Sequence, residues 1–208
     1  MKKRIQYTML LLCVLIVGYG NAQEREESKF NLLAYGGIGY GIVEHENQPN
    51  YNLNSNSADV HLNYDISKHI GMASGIGLNE LSGNGFNAAG SFYHERTLLK
   101  VPVVATMEYP ISGFFSFVAN LGIYTQHILR DEYRFLATTE EDVYDGWNFG
   151  AQMGFGFMFK AFENMRVGIH YNGQSDFTAF KTTTNQPFED EQKMKNLNTF
   201  GIVVSFGL

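Results

Sequence analysis

Ala58-Asp59-Val60-His61-Leu62-Asn63-Tyr64-Asp65-Ile66 is the stretch that decides the fold. Ala58, Val60, Leu62, Tyr64 and Ile66 alternate with Asp59, His61, Asn63 and Asp65, so a strand carries one greasy face and one polar or charged face. A helix would mingle the two sets around its circumference. The same zigzag recurs on both sides. Residues 31–43 set Leu32, Ala34, Ile38, Tyr40 and Ile42 against Leu33, Tyr35 and three glycines, and residues 70–78 set Ile70, Met72, Ile76 and Leu78 against Gly71, Ala73, Gly75 and Gly77. Residues 97–109, 114–125, 166–172 and 199–208 repeat it, with Pro102 withdrawing one ladder donor from the first of these. Residues 147–159 are the most diagnostic: Trp147, Phe149, Ala151, Met153, Phe155, Phe157 and Phe159 face Asn148, Gly150, Gln152, Gly154 and Gly156.

These stretches make eight strands, an even number, as in single-chain bacterial barrels. The connections 67–69, 110–113 and 161–165 are short. Those at 44–57, 79–96, 126–145 and 173–196 are long and polar. Strict alternation of short and long sends all short turns to one rim of an up-and-down barrel and all long loops to the other. That asymmetry predicts long loops outside the cell and both termini in the periplasm. Tyr40, Tyr64, Tyr109, Tyr124, Trp147, Phe159 and Tyr171 sit near strand ends, where interfacial aromatic girdles belong.

The N-terminus reads as an export signal. Lys2, Lys3 and Arg4 precede the apolar run 9–17, and a small-residue stretch ends at Ala22. The run is about half of what a membrane helix needs, and cleavage is expected after Ala22, leaving residues 23–208 as one barrel domain. Cys13 has leucines rather than a small residue before it, which argues against lipidation. Removing the signal takes the balance from 15 basic against 21 acidic residues to 12 against 21, a net charge of −9, and leaves no cysteine. Thiol chemistry and disulfides are thereby excluded, and nucleic acid is disfavoured by like charge. No later apolar run reaches the length of a membrane helix, so a membrane protein of this composition must be a barrel.

The signal ending Asn21-Ala22-Gln23, the segment 98–104 with its Lys-Val-Pro centre and the closing strand 199–208 resemble the small outer-membrane β-barrels common in Bacteroidetes, the PorT-like and OmpA-like eight-stranded barrels. That resemblance implies an integral outer-membrane location and roles in secretion support, envelope anchoring or surface contact. Leu208 departs from the terminal aromatic of outer-membrane assembly signals, although Phe206 lies two residues earlier. With the chain stopping at Leu208, an OmpA-type cell-wall tether is not expected.

Eight strands leave a lumen that side chains can fill. The inward faces carry Asp59, His61, Asp65, Lys100, Glu108, Lys160, Arg166 and His170, read as a structural network of both signs pairing across the lumen. A narrow water path is the alternative. Gly37-Ile38-Gly39-Tyr40-Gly41 fails the nucleotide-loop spacings and reads as close packing. His45-Glu46 and His94-Glu95 each begin a zinc-protease pattern, but Pro49 and Leu98 stand where the second histidine belongs. No metal or cofactor is expected. The acidic runs 140–142 and 189–191 read as solvated loop charge rather than cation sites bridging to lipopolysaccharide. Ser91, His94 and Glu95 sit close together in the second long connection and His127 with Asp131 at the third, groups that would serve a barrel enzyme acting on lipid but that arise easily by chance in polar loops. Three readings therefore stand: a non-enzymatic integral barrel contacting lipid, lipopolysaccharide and an envelope or surface protein; the barrel enzyme; and a soluble exported barrel with Phe155, Phe157 and Ile202 lining an apolar ligand cavity.

Overall fold

The protein, a computed structural model, is described for residues 29–87, 90–183 and 189–208; the expected signal peptide lies outside them. Eight long strands build the wall: β1 Phe30–His45, β2 Tyr51–Asp65, β3 Ile70–Asn87, β4 Gly90–Pro110, β5 Phe115–Arg134, β8 Trp147–Phe162, β9 Met165–Asp176 and β11 Glu191–Gly207. Each pairs antiparallel with the next, and β11 returns to β1, from Asn31 opposite Gly207 to His45 opposite Gln192. The ring has no free long edge. Three short pieces, β6 Thr139–Glu141, β7 Tyr144–Asp145 and β10 Phe180–Thr182, lie at the long-loop end, where β10 joins β7 to β11.

Sidedness settles the class. Met153, Ile202 and Val60 are 56%, 59% and 46% exposed, whereas Asp59 and Gln152 on the opposite faces are 3% and 2% exposed. Oily residues face out all around the ring, and polar ones fill the tube. Phe155, Phe157 and Ile202 face outward rather than lining a cavity, so this is a transmembrane barrel and not a soluble one. Tyr40, Tyr64, Tyr109, Trp147 and Phe159 lie on the outer surface, but Tyr124 points into the lumen at 2% exposure and leaves the expected girdle.

The long loops expected from sequence are largely strand. β3 has 18 residues and β4 has 21, about twice the 9–11 that cross a bilayer. Beyond the apolar band the alternation continues with inverted polarity: Asn52, Asn54 and Asn56 face out while Tyr51 and Leu53 face in, at 9% and 0% exposure. The apolar-outward pattern stops at the bilayer edge because water, not hydrocarbon, surrounds the rest. The hydrogen-bonded ladder does not stop there.

Pro102 stays inside β4. Its missing N–H leaves a gap in the β3–β4 register, between Ser74 opposite Val103 and Gly77 opposite Lys100, and the Ser74 hydroxyl donates to the Pro102 carbonyl at 2.9 Å. Curvature is tight. A Cβ added at Gly39 would lie 1.8 Å from the Asn198 carbonyl oxygen, and one at Gly37 would meet the Tyr35 ring. Only glycine lets the walls approach so closely.

Replacing Met153 with Arg at mid-band should destabilise the barrel by about 2–4 kcal/mol, whereas Asn54→Arg above the band should change it by about 0.5 kcal/mol or less. Reversible denaturant unfolding in lipid vesicles measures both, and equal costs would refute the band's position.

Candidate functional site

The lumen has two compartments. At the short-turn end, a cavity of about 520 Å³ is bordered by Asp59, His61, Asp65, Glu108, Lys160, Arg166 and His170. Lys100 closes its inner end, with its ammonium 3.0 Å from the Asp59 carboxylate and both side chains almost wholly buried. Asp65 accepts from the amides of Asn31 and Asn63 at 2.6 and 2.7 Å. Glu108 of β4 and Arg166 of β9 form an ion pair at the mouth, both partly exposed. His170 takes a hydrogen bond from the Asn120 amide at 3.2 Å. Lys160 is an exposed cation at the rim, and His61 stands beside the Asp59–Lys100 pair with its Nε2 unpaired. Pairing across the lumen thus joins Asp59 to Lys100 and Glu108 to Arg166, while Lys160 has no carboxylate within ion-pair distance among the described residues.

Deeper in, Asp176 accepts from the Tyr124 hydroxyl at 2.6 Å, the Gln126 amide at 3.0 Å and the Met194 backbone at 2.7 Å. Beyond this layer the tube is packed shut. Val43, Tyr51, Leu53, Leu81, Phe92, Leu98, Ile128, Tyr133, Met194 and Leu197 from the wall meet Val143, Tyr144 and Phe180 from the loop segments in one buried cluster. This plug lies above the apolar band, at the level where outward positions are Glu95, Arg130 and Glu132.

Two bulges make the plug. Ile128 and Asp131 both face inward because Leu129 is an extra residue between Thr97–Arg130 and Leu98–Ile128. On β11 the register shifts beside Asn196, whose φ is 51°, and Met194 and Leu197 both face inward. Each bulge reverses the phase of its strand. Asp131, Tyr133, Gln192 and Met194 are thereby aimed into the lumen.

A polar network runs through the apolar plug. The Tyr51 hydroxyl donates to His94 Nδ1 at 2.8 Å, His94 Nε2 donates to Asp131 at 2.8 Å, and Arg96 Nε donates to the same carboxylate oxygen at 2.8 Å. The Tyr133 ring stacks on His94 at 4.0 Å. A second set holds the loop segment: Asp190 accepts from His45 at 2.7 Å and from the Tyr144 hydroxyl at 2.9 Å. The Gln192 amide joins the two, bonding His45 Nε2 at 2.9 Å and the Tyr133 hydroxyl at 2.8 Å. Burial drives the His94 imidazole down to about 4, against the pull of Asp131, so it is neutral at pH 7. Burial works to raise the Asp131 carboxyl, but the Arg96 guanidinium and the His94 bond outweigh it and hold it well below the usual carboxylate range. Burial likewise lowers His45.

The residues grouped as enzyme candidates separate. His94 is 0% exposed with both ring nitrogens engaged, whereas Ser91 is exposed near the β3–β4 tip and Glu95 faces outward to Arg134. His127 points out and stacks on Trp147 at 5.0 Å, on the opposite face from Asp131. Adjacency in sequence put these groups together, and strand alternation places them on different sides of the wall. Among the described residues no group of three or more His, Asp or Glu side chains is arranged to hold a metal. Tyr51, Tyr133, Tyr144 and Gln192 carried no sequence signal except the polar alternation of residues 51–57. Asp190, expected as solvated charge within the acidic run 189–191, is instead 4% exposed, because His45 and the Tyr144 hydroxyl draw it into the plug.

No family model and no curated protein matches this chain in sequence. Solved structures match it in shape. Neisserial surface protein A, 7% identical, superposes over 87% of this chain and 98% of its own with a TM-score of 0.53. OprG of Pseudomonas aeruginosa, 8% identical, covers 88% and 98% at 0.49, and Ail of Yersinia pestis, 10% identical, covers 86% and 99% at 0.45. The fold is that of the small outer-membrane β-barrels.

The folded His94 takes up its proton only near pH 4, while an opened plug would take it up near 6.5. Acidification through that window therefore favours opening, by up to about 3 kcal/mol, and the Asp131 contribution is lost at still lower pH. The near-ultraviolet circular dichroism of the tyrosine cluster should fall between these values while the far-ultraviolet strand signal holds. In His94→Gln the step should flatten; an unchanged step would assign it elsewhere. Asp131→Asn, which strands the Arg96 charge in the plug, should cost about 3–5 kcal/mol in denaturant unfolding followed by the same tyrosine signal.

Proposed function

We propose that the chain is an integral protein of the Gram-negative outer membrane, exported by a signal cleaved after Ala22, that serves as a closed, non-enzymatic surface platform for an envelope or surface protein. The observation that carries this is the raised, plugged outer half. From Leu78 to Asn87 the β3–β4 wall continues for about 20 Å above the band, taking about 3.3 Å per residue and a tilt of about 40°. Its interior is solid, and its outer face is a ladder of Glu95, Arg134, Glu132 and Arg130 ion pairs. A rigid post of this kind offers contact area rather than passage. The loop asymmetry favours long loops outside and termini in the periplasm, with the band against outer-membrane lipid and lipopolysaccharide. The sequence resemblance to PorT-like and OmpA-like barrels agrees with either secretion support or surface contact. Enclosure of His94 supports the non-enzymatic reading over a lipid-directed enzyme.

Because the mature chain has no thiol, single cysteines report topology cleanly. On intact cells a membrane-impermeant maleimide should label Leu136→Cys, at the loop end, and spare Ser112→Cys, in a short turn; the reverse pattern would invert the barrel. In planar bilayers at neutral pH the purified protein should show no single-channel steps, and regular openings would overturn the closed platform.

A further inference from the structure

The vestibule at the short-turn end holds more hydrogen-bonding capacity than the protein uses. Gln152 Oε1, Asn172 Oδ1, Asn120 Oδ1 and His61 Nε2, from β8, β9, β5 and β2, are buried side-chain atoms with no partner in the protein, and all four residues line the one cavity. Gln152 and Asn172 are only 2% and 4% exposed. Three of the four atoms are amide carbonyl oxygens, which accept and cannot donate. A ligand meeting them must bring several O–H or N–H groups.

Charge separates the two kinds of donor. Asp65, Glu108 and Glu163 on the cavity wall face Lys68, Lys160 and Arg166, and the remaining carboxylate, Asp59, is matched by Lys100. No net field draws in an amine or a phosphate. The walls also carry apolar surface from Leu33, Val118, Met158 and the Tyr35 ring, which stands edge-on to His170 with its hydroxyl donating to Thr199 at 2.8 Å. Hydroxyls over carbonyls and C–H faces over apolar and aromatic walls are the two demands of a sugar. At about 520 Å³ the cavity lies within the range of small-molecule sites.

We propose that this vestibule is a binding site for a small neutral polyhydroxylated solute of mono- or disaccharide size. It rests on the lumen being plugged, which makes the vestibule blind-ended, and not on which rim faces outward.

The test uses the full mature chain refolded in an amine-oxide detergent, which carries no sugar headgroup, with maltose as probe and spermidine as the charged comparison. Saturable shifts of the His61 and His170 ring resonances are expected with maltose. Gln152→Met keeps the shape and removes an acceptor, and should weaken binding about fivefold to tenfold, the worth of one hydrogen bond. Gln192→Met makes the same change in the plug and should leave the affinity unaltered. Heat-modifiable gel mobility checks that each variant is folded. No saturable shift with maltose, equal affinity in Gln152→Met, or tighter binding of spermidine would each overturn the proposal. The labelling outcome does not bear on it; channel openings would remove the plug on which the site rests, whereas absent maltose binding in a non-conducting barrel would fail the site alone, so the two failures are separable.

Discussion

A strand that crosses hydrocarbon meets no water to satisfy its N–H and C=O groups, and each one left unpaired costs several kcal/mol. Closure of β11 onto β1 removes that cost for the whole wall at once. The rest of the molecule follows from it. A ring of eight tilted strands has a bore that side chains can nearly fill, so the inner face must combine small residues with polar groups that satisfy one another. The outer face must be oily. Gly39 shows the tightness required, because the backbone of β11 occupies the space its Cβ would need.

The same ladder continues past the membrane, and there the solvent reverses. Outside the band the hydrophobic effect draws apolar residues inward, as in any water-soluble protein. Leu53, Leu81 and Leu98 are accordingly buried beneath outward Asn54, Ser82 and Thr97. One continuous wall is thus a membrane barrel below and a packed soluble-type barrel above. On β5 and β11 the change of solvent coincides with a bulge, which rephases those strands and turns Asp131 and Gln192 inward. The plug can then hold a buried carboxylate, because Arg96, His94 and the Tyr144 backbone all converge on it.

Legibility of the candidate site divides along this boundary. Below it, strict alternation placed Asp59, His61, Asp65, Lys100, Glu108, Lys160, Arg166 and His170 on inward faces, although alternation could not say that Glu108 would reach Arg166 three strands around the ring or that Lys160 would stand exposed at the rim. Above it, the outward residues turned polar and the segments read as loops. His94 therefore looked like a neighbour of Ser91 and Glu95, when it faces away from both. Tyr124 looked like a girdle residue, but its phase and its bond to Asp176 belong to the lumen.

Sequence alone determined the class, the strand count and the sidedness within the membrane, because all of these are written in a period of two measured against one solvent. Tertiary structure decided how far the strands run, where their phase slips and what seals the tube. A bulge at Leu129 or beside Asn196 has no local signature. Its effect appears only when partner strands fix the register, and the pairing of His45 with Asp190, 145 positions apart in the chain, exists only once the ring has closed.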